Sequence, residues 1–224
     1  MTNFVSADTL KQDVGRLLVD KGCAFCNNAS QFKKRVVSEM ADFWIITTLG
    51  QITNGGYLLL VPKRHVSCIG ALDKTEATII DAAQEQISTA LRKEYKAEAV
   101  ALFEHGIVGQ TISHAHLHLL PAKLDITHRI VDDFPKTAFM VMRTFTQLQK
   151  LFTNLPKPYL LWKDSHNSFI KMLQDPKNVP AQYFRTVAAG ILGYPERANW
   201  RTMNQELDKM LWQDTVKRMK PYFA

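Results

Sequence analysis

Three histidines, His114, His116 and His118, alternate with the small or apolar residues Ala115 and Leu117. Side chains of an extended chain repeat every two residues, so a strand here directs all three imidazoles to one face. On a helix this spacing would scatter the rings, because positions i and i+2 do not share a face. Such a row can serve a metal site, a catalytic site or both, and the alternative is three buried structural histidines.

Two cysteines, Cys23 and Cys26, are separated by two residues. Two thiols on a tight turn provide half of a tetrahedral zinc site, or a redox pair. No strand–helix–strand pattern typical of thioredoxin-like proteins surrounds them, which disfavours the redox pair. Two incidental core cysteines are the remaining alternative.

The elements that must position these residues are strands and one long helix. β-Branched and aromatic residues predict strands over 35–39, 43–48 and 57–61, and Lys63-Arg64-His65 follows the last of them. Asp73-Lys-Thr-Glu76 resembles a capping box and predicts a helix to about Tyr95. Residues 99–103 form the next predicted strand, and 104–106 begin a loop that leads to the histidines. This order predicts an α+β unit.

The C-terminal half has a different texture, predicted to be mostly helical. The pattern predicts a helix over 137–152, a hairpin of 159–162 with 168–172, a helix over 180–192 and a last helix over about 204–220. Before the cysteines, residues 1–21 carry a short apolar repeat at helical spacing. We expect a core of residues 1–122, with 123–224 packed on it as an extension.

Composition restricts the class of protein. The 224 residues are 46% hydrophobic and 22% charged, with three cysteines. No long apolar run and no signal-peptide pattern occurs, so we expect a cytoplasmic protein without a membrane span. The net charge of +7 can steer a nucleotide towards a cleft. Its basic residues are dispersed, so we expect a small nucleotide rather than a nucleic acid as partner.

The segment His114-Ala-His-Leu-His-Leu-Leu120 resembles the histidine-triad family pattern His-φ-His-φ-His-φ-φ, where φ is apolar. Gly109-Gln-Thr, Val61-Pro-Lys-Arg-His65 and Cys23-Ala-Phe-Cys26 also stand in the order of zinc-containing bacterial members. The resemblance covers about residues 15–122. It implies an antiparallel sheet with flanking helices, a homodimer, and hydrolysis or transfer at the α-phosphate of nucleotides.

Roles follow by position in that resemblance. His116 resembles the nucleophile, and a neutral imidazole can attack phosphorus without prior deprotonation. His118 resembles the supporting histidine near the phosphate. The backbone N–H groups of Gly109 and Gln110 and the hydroxyl of Thr111 would hold phosphate oxygens as charge shifts.

The resemblance assigns His114 to a metal instead. In zinc-containing relatives the set that corresponds to Cys23, Cys26, His65 and His114 completes a tetrahedron, a closed set expected of a structural zinc. Such an ion would tie the N-terminal turn to the catalytic strand without touching substrate.

Three positions depart from the family pattern. Tyr57 stands where relatives commonly have a histidine, Leu49 or its neighbours where many have a ribose-binding Asp, and Phe103 where an amide lies near the leaving group. His105, expected in a loop that faces the site, is a candidate acid or phosphate ligand.

The leading hypothesis is a nucleotide hydrolase that cleaves dinucleoside polyphosphates, or related nucleotidyl esters or amidates, through a nucleotidyl-His116 intermediate. One alternative is a phosphorylase or nucleotidyltransferase, which shares the first step. Another is a non-catalytic nucleotide-binding module.

Overall fold

The structure is a computed structural model that describes residues 22–27, 32–136, 138–164, 168–173 and 178–224. The apolar repeat of residues 1–21 lies outside the described residues. Eight antiparallel strands form one sheet in the described part of the chain, in the order β1-β2-β3-β5-β4-β7-β8-β6. The strands are β1 (Val36–Met40), β2 (Phe43–Thr47), β3 (Leu58–Pro62), β4 (Ala101–Gly106), β5 (Leu117–Leu120), β6 (Met140–Met142), β7 (Tyr159–Lys163) and β8 (Ser168–Met172).

Helices cover both faces of this sheet. They are α1 (Ala24–Asn27), α2 (Lys74–Tyr95), α3 (Thr127–Asp133), α4 (Phe145–Asn154), α5 (Tyr183–Ile191) and α6 (Gln205–Met219) among the described residues. Short 3-10 turns lie at Ile69–Ala71, Pro195–Arg197 and Lys220–Tyr222. The predicted α+β class, an antiparallel sheet with flanking helices, is confirmed.

The long helix α2 begins where the sequence predicted. The Asp73 carboxylate accepts from the Glu76 N–H at 2.8 Å, and Glu76 accepts from the Asp73 N–H at 2.9 Å. This reciprocal box satisfies two N–H groups that a helix start leaves without partners. The helix ends at Tyr95, and the next residue, Lys96, has a left-handed φ of 51°.

Successive side chains of residues 114–119 point to opposite faces of the sheet, and each face carries its own hydrophobic core. Ala115, Leu117 and Leu119 belong to the core that also contains the buried face of α2. Phe103 and Phe184 belong to the core on the opposite face, and the ring of His118 contacts Phe103 there. The period of two therefore places the histidine side chains on the face away from α2.

The C-terminal half continues the sheet of the first half. β7 pairs with β4 over five residue pairs, from Leu102 opposite Lys163 to Gly106 opposite Tyr159. The predicted hairpin is present as β7 and β8, and the predicted last two helices are present as α5 and α6. The division into residues 1–122 and 123–224 stays a prediction, since one sheet runs through both.

Two element predictions were wrong. Residues 104–106 lie in β4 and not in a loop, because their backbone pairs with β7. The helix predicted over 137–152 begins only at Phe145, because Thr144 and Gln147 form a capping box there. Met140–Met142 before it forms the edge strand β6.

In the part of the chain that the structure describes, no helix combines the length and the apolar character needed to cross a membrane.

Candidate functional site

The three histidines lie at the start of β5 and just before it. His118 is within β5, between Leu59 of β3 and Phe103 of β4. His114 and His116 precede the strand, in a segment that the Ala115 N–H holds by donating to the Val66 carbonyl at 2.7 Å. All three side chains are buried, at 0%, 9% and 3% exposure in chain order.

His116 has a defined tautomer. Its Nδ1 lies 2.7 Å from the carbonyl oxygen of His114, so Nδ1 carries a hydrogen and donates it. The other ring nitrogen, Nε2, then keeps its lone pair. Burial lowers the pKa of His116, in the direction of a neutral ring.

His118 is held by Tyr57. The phenol oxygen lies 2.7 Å from His118 Nδ1, and burial raises the pKa of Tyr57 to about 12, so the phenol keeps its hydrogen. Among the described residues, Nε2 of His118 has no hydrogen-bond partner although it is buried. A buried polar atom of this kind needs a partner, and a bound ligand can supply one. Tyr57, at the position where the resemblance predicted a histidine, therefore contacts His118 directly.

A cavity of about 200 Å³ opens beside these two rings, which lie 4.8 Å apart between centroids. Its polar and charged lining residues are Arg35, Thr48, Thr111, His116, His118 and Arg185. Its apolar lining residues are Ala24, Phe25, Phe32, Leu49, Leu59, Ile112 and Trp200. No carboxylate lines it within the described ranges. This combination suits an anionic ligand that also has an apolar body.

The predicted phosphate-binding residues lie in different positions. Thr111 lines the cavity, whereas Gly109 and Gln110 are not among its lining residues. The Gln110 side chain donates to the carbonyl oxygen of His105 at 2.7 Å and thereby braces this loop. Gly109 has φ of +68°, and a Cβ there would lie 2.9 Å from the oxygen of Pro180.

His105 differs from expectation in place and in bonding. It lies in β4, 3% exposed, and does not line the cavity. Its Nε2 accepts the backbone N–H of Phe184, at the start of α5, at 3.0 Å. Burial, with smaller contributions from His116 and Arg185, lowers the pKa of His105 to about 3. These contacts fit a residue that positions α5.

The four predicted metal ligands lie together. One donor atom from each of Cys23, Cys26, His65 and His114 lies within 4.8 Å of the others. His114 Nδ1 is 3.3 Å from Cys23 Sγ and 3.5 Å from Cys26 Sγ, and His65 Nδ1 is 3.5 Å from Cys26 Sγ. Zinc with sulfur and nitrogen ligands has tetrahedral edges of about 3.6 Å between them, so these distances fit the ion.

The surroundings of His114 also fit a ligand. Its Nε2 donates to the Pro62 carbonyl at 2.9 Å, which leaves Nδ1 free to face the thiols. Burial lowers the pKa of His114 to about 4, so the ring is neutral as a metal ligand must be. The helical turn α1 contains Cys26 and directly follows Cys23, so it brings both cysteines to His114.

Two cavity residues from the C-terminal half were not identified from sequence. Arg185 lies in α5 and Trp200 follows the turn Pro195–Arg197. Both are more than 65 residues from the nearest histidine of the triad in sequence, so no local spacing could connect them to it. Arg35 was predicted as the start of a strand and as part of the basic run 33–35, with no site role, and it lies in the turn just before β1.

Parts of this chain are similar to known proteins. Residues 22–130 match the sequence profile of a family described as "Scavenger mRNA decapping enzyme C-term binding". A "Zinc finger CCCH domain-containing protein 64" from Arabidopsis thaliana is 22% identical over 217 residues, 90% of this chain and 36% of that protein. A "Bis(5'-adenosyl)-triphosphatase" from Dictyostelium discoideum is 30% identical over 70 residues, 30% of this chain and 47% of that protein.

The chain thus spans 36% and 47% of the lengths of these two relatives. Among solved structures, a Hit-like protein involved in cell-cycle regulation from Bartonella henselae is 19% identical, with a TM-score of 0.43. That likeness covers 47% of this chain and 82% of the other. The profile match over residues 22–130 includes the buried histidines His114, His116 and His118.

Proposed function

We propose that this chain is a nucleotide hydrolase that cleaves at the α-phosphate of a dinucleoside polyphosphate, or of a related nucleotidyl ester or amidate. The main support for this proposal is the hydrogen bond from His116 Nδ1 to the His114 carbonyl. It leaves the lone pair of Nε2 available as a nucleophile in the cavity. The 30% identical segment of a bis(5'-adenosyl)-triphosphatase supports this choice of bond.

In the first step, His116 Nε2 attacks the α-phosphorus. The new phosphorus–nitrogen bond forms as the bond to the leaving oxygen breaks, and the leaving group departs with that electron pair. The nucleotidyl ring stays protonated at Nδ1 and is cationic, so it is itself a good leaving group. In the second step water attacks phosphorus, releases neutral His116, and yields a nucleoside monophosphate and a proton.

His118 and Thr111 assist through hydrogen bonds. Because the Tyr57 phenol can donate to His118 Nδ1, Nε2 of His118 carries a hydrogen for a phosphate or leaving-group oxygen. The hydroxyl of Thr111 lines the same cavity and is a second donor. The backbone N–H groups of Gly109 and Gln110 stay proposed as phosphate donors in the loaded state. His105, offered from sequence as an acid or phosphate ligand, we assign to positioning α5.

A zinc ion would be held by Cys23, Cys26, His65 and His114. Bound there it supplies a structural link rather than a Lewis acid for substrate. His114 would then fix the segment whose carbonyl orients His116.

The homodimer that the family resemblance implies stays a proposal, to be tested by light scattering after size-exclusion chromatography. One mass for a single chain across micromolar concentrations would reject it.

The hydrolase is tested by trapping the intermediate. Protein is mixed with a panel of adenine and guanine nucleotides, denatured at alkaline pH, and examined by mass spectrometry. We expect a nucleoside monophosphate adduct in the wild type and in His128→Ala, and none in His116→Ala. His128 is an exposed histidine of α3, so it is the matched control.

The acceptor that releases the nucleotidyl group from His116 distinguishes a hydrolase from a phosphorylase and from a nucleotidyltransferase. An adduct released by water supports a hydrolase, whereas release only on addition of inorganic phosphate supports a phosphorylase. Release only to another nucleotide supports a nucleotidyltransferase. Tight nucleotide binding without adduct or turnover would leave a binding module, and the hydrolase proposal would be withdrawn.

A further inference from the structure

Two guanidinium groups of the cavity are anchored to one short segment, residues 47–50. Arg35 Nη1 donates to the Thr47 carbonyl at 2.8 Å, and Arg185 Nη2 donates to the Gly50 carbonyl at 2.8 Å. Both residues line the cavity that also contains His116 and His118. The turn before β1 in the first half and helix α5 in the second half thus bring two cations to the same wall of the cavity.

Arg185 is fixed in place by close packing. Gly50 has φ of +73°, and a Cβ at this position would lie 2.4 Å from Arg185 Nη2 and 2.5 Å from Trp200 Cβ. The guanidinium also lies over the ring of Tyr57, with its carbon 5.4 Å from the centroid. Such a group loses little freedom when it binds an anion.

Arg185 has no counter-charge among the described residues. It is 4% exposed, and its side-chain hydrogen bonds end on neutral groups, which are the carbonyl oxygens of Gly50, Arg197 and Ala198 and the phenol of Tyr57. No described carboxylate forms an ion pair with it. A buried cation in this state is costly, so the cavity favours an occupant that brings negative charge.

Arg35 has one acidic neighbour, and that neighbour is engaged elsewhere. Burial lowers the pKa of Arg35, and the charge of Asp208 raises it. Asp208 Oδ1 accepts the N–H groups of Gly50 and Gln51, each at 2.9 Å. Asp208 does not line the cavity. The wall that a ligand meets therefore carries net positive charge.

Apolar surface accompanies these cations. Leu49 lies within the same segment, and Trp200 packs against Gly50 beside Arg185. These groups suit the sugar and base of a nucleotide more than a polyphosphate chain. In the dinucleotide sites of Rossmann folds, a carboxylate binds a free ribose hydroxyl, whereas a nearby arginine accommodates a 2'-phosphate, and the same charge complementarity applies to this wall.

We propose that Arg35 and Arg185 bind a second phosphate group, one carried by the 2' or 3' oxygen of the ribose of the bound nucleotide. The proposal rests on the proposed function, in which His116 and His118 receive the 5' phosphate. The substrate class is then a nucleotide with a phosphorylated ribose.

The test is calorimetric binding of product-like ligands, which needs no turnover. Wild type, Arg35→Gln, Arg185→Lys, Arg185→Gln and Arg92→Gln are titrated with adenosine 5'-monophosphate, adenosine 5'-diphosphate, and the 2',5'- and 3',5'-bisphosphates. Arg92 is an arginine of α2 outside the cavity, so its variant removes the same charge elsewhere. Thermal melting confirms that each variant is folded, and Arg185→Lys covers the case in which Arg185→Gln is not.

We expect wild type to bind one bisphosphate about tenfold or more tighter than the 5'-monophosphate, as charge-assisted hydrogen bonds allow. This preference should be lost in the Arg35 and Arg185 variants and kept in Arg92→Gln. Equal affinity for mono- and bisphosphates would overturn the proposal. The proposal would also be overturned if the 5'-diphosphate showed the same increase in affinity over the 5'-monophosphate. It would be overturned as well if the arginine variants lost affinity for all four ligands equally.

A further titration, with a short oligonucleotide, distinguishes a small nucleotide ligand from an RNA partner. If a 5'-phosphorylated diribonucleotide bound much tighter than the bisphosphates through the same arginines, the cations would belong to an RNA site and the proposal would fail. Because binding is measured on products, these outcomes do not depend on the nucleotidyl-His116 adduct. The adduct can be absent while the bisphosphate preference persists, and the reverse can also occur.

Discussion

The phenol oxygen of Tyr57 and Nδ1 of His118 lie 2.7 Å apart, and both side chains are buried where β3 and β5 pair. A tyrosine thus orients the imidazole, and its phenol can donate to Nδ1 and so favour the tautomer with hydrogen on Nε2. The pKa of Tyr57, raised to about 12 by burial, keeps the phenol a donor throughout the neutral range.

Replacing Tyr57 by Phe removes this donor and leaves the ring shape. We expect the rate of nucleotidyl-adduct formation to fall about ten- to hundredfold, because His118 can then adopt either tautomer. The control is Tyr95→Phe, whose hydroxyl contacts Thr215 and does not line the cavity. Nitrogen-15 NMR reports the tautomer directly. An unchanged tautomer with an unchanged rate would remove Tyr57 from the site.

Replacing His105 by Ala tests its role. The pKa of about 3 means that the ring is neutral at every pH where the protein would work, so it cannot supply a proton as an imidazolium. We expect a lower rate, since the Phe184 N–H loses its acceptor at the start of α5, with no change in the shape of the pH–rate profile. If the variant lost the fall in rate at high pH that deprotonation of an essential acid causes, His105 would be a catalytic acid.

Removing one thiol tests the metal cluster. We expect metal analysis to find about one zinc per chain in wild type and much less in Cys23→Ser, with a lower Tm. Cys68→Ala is the matched control, since Cys68 is a buried cysteine outside the cluster. Equal zinc in wild type and Cys23→Ser, or none in either, contradicts the site.

Gly109, which contacts the C-terminal half at Pro180, and Gly190, an exposed glycine of α5, form a matched pair. In Gly109→Ala the left-handed φ and the 2.9 Å approach to Pro180 both oppose the new methyl group, so we expect a loss of about 1–3 kcal/mol in the free energy of unfolding. In Gly190→Ala the Cβ meets nothing within 4 Å, and the helix gains up to about 1 kcal/mol. Urea denaturation measures both. Equal effects would show that the close approach at Gly109 carries no cost.

Glu104 makes stability depend on pH. It is fully buried, accepts from the Ile69 N–H and the Tyr159 hydroxyl, and its pKa is raised by burial from 4.5 to about 7. A raised folded-state pKa favours the protonated carboxyl, so this contribution is present below about pH 4.5 and is lost as the pH rises through about 7.

Between pH 5 and 8 we expect wild type to lose about 2 kcal/mol from this group, and Glu104→Gln to lack that loss. Urea denaturation of both proteins at the two pH values gives the difference. A parallel pH dependence in wild type and variant would contradict the raised pKa.

Sequence patterns correctly predicted the structural features that depend on residues close together in the chain. The period of two in 114–118 placed Ala115 and Leu117 in one core and the histidine rings on the opposite face. Asp73 and Glu76 marked the start of α2. The grouping of the metal ligands came from the family resemblance, because Cys23 and His114 are 91 positions apart.

The features that the sequence did not predict, the positions of His105 and Arg185, depend on contacts between residues far apart in the chain. His105 was expected in a loop because 104–106 follow a short apolar run, yet β7 pairs with them from more than 50 residues away and extends β4. Arg185 reaches the cavity because α5 packs on that extended strand, and its Val-Pro-Ala-Gln-Tyr-Phe-Arg context carries no spacing that relates it to the triad.

The pairing of β4 with β7 also governs how the protein can be dissected. A fragment ending near residue 122 would lack β7 and would leave the backbone amide and carbonyl groups along one edge of β4 unpaired. Such an exposed strand edge can pair with other chains and promote aggregation. Insolubility or inactivity of such a fragment would therefore say nothing about the triad, and truncation is unsuitable for assigning chemistry to the first half alone.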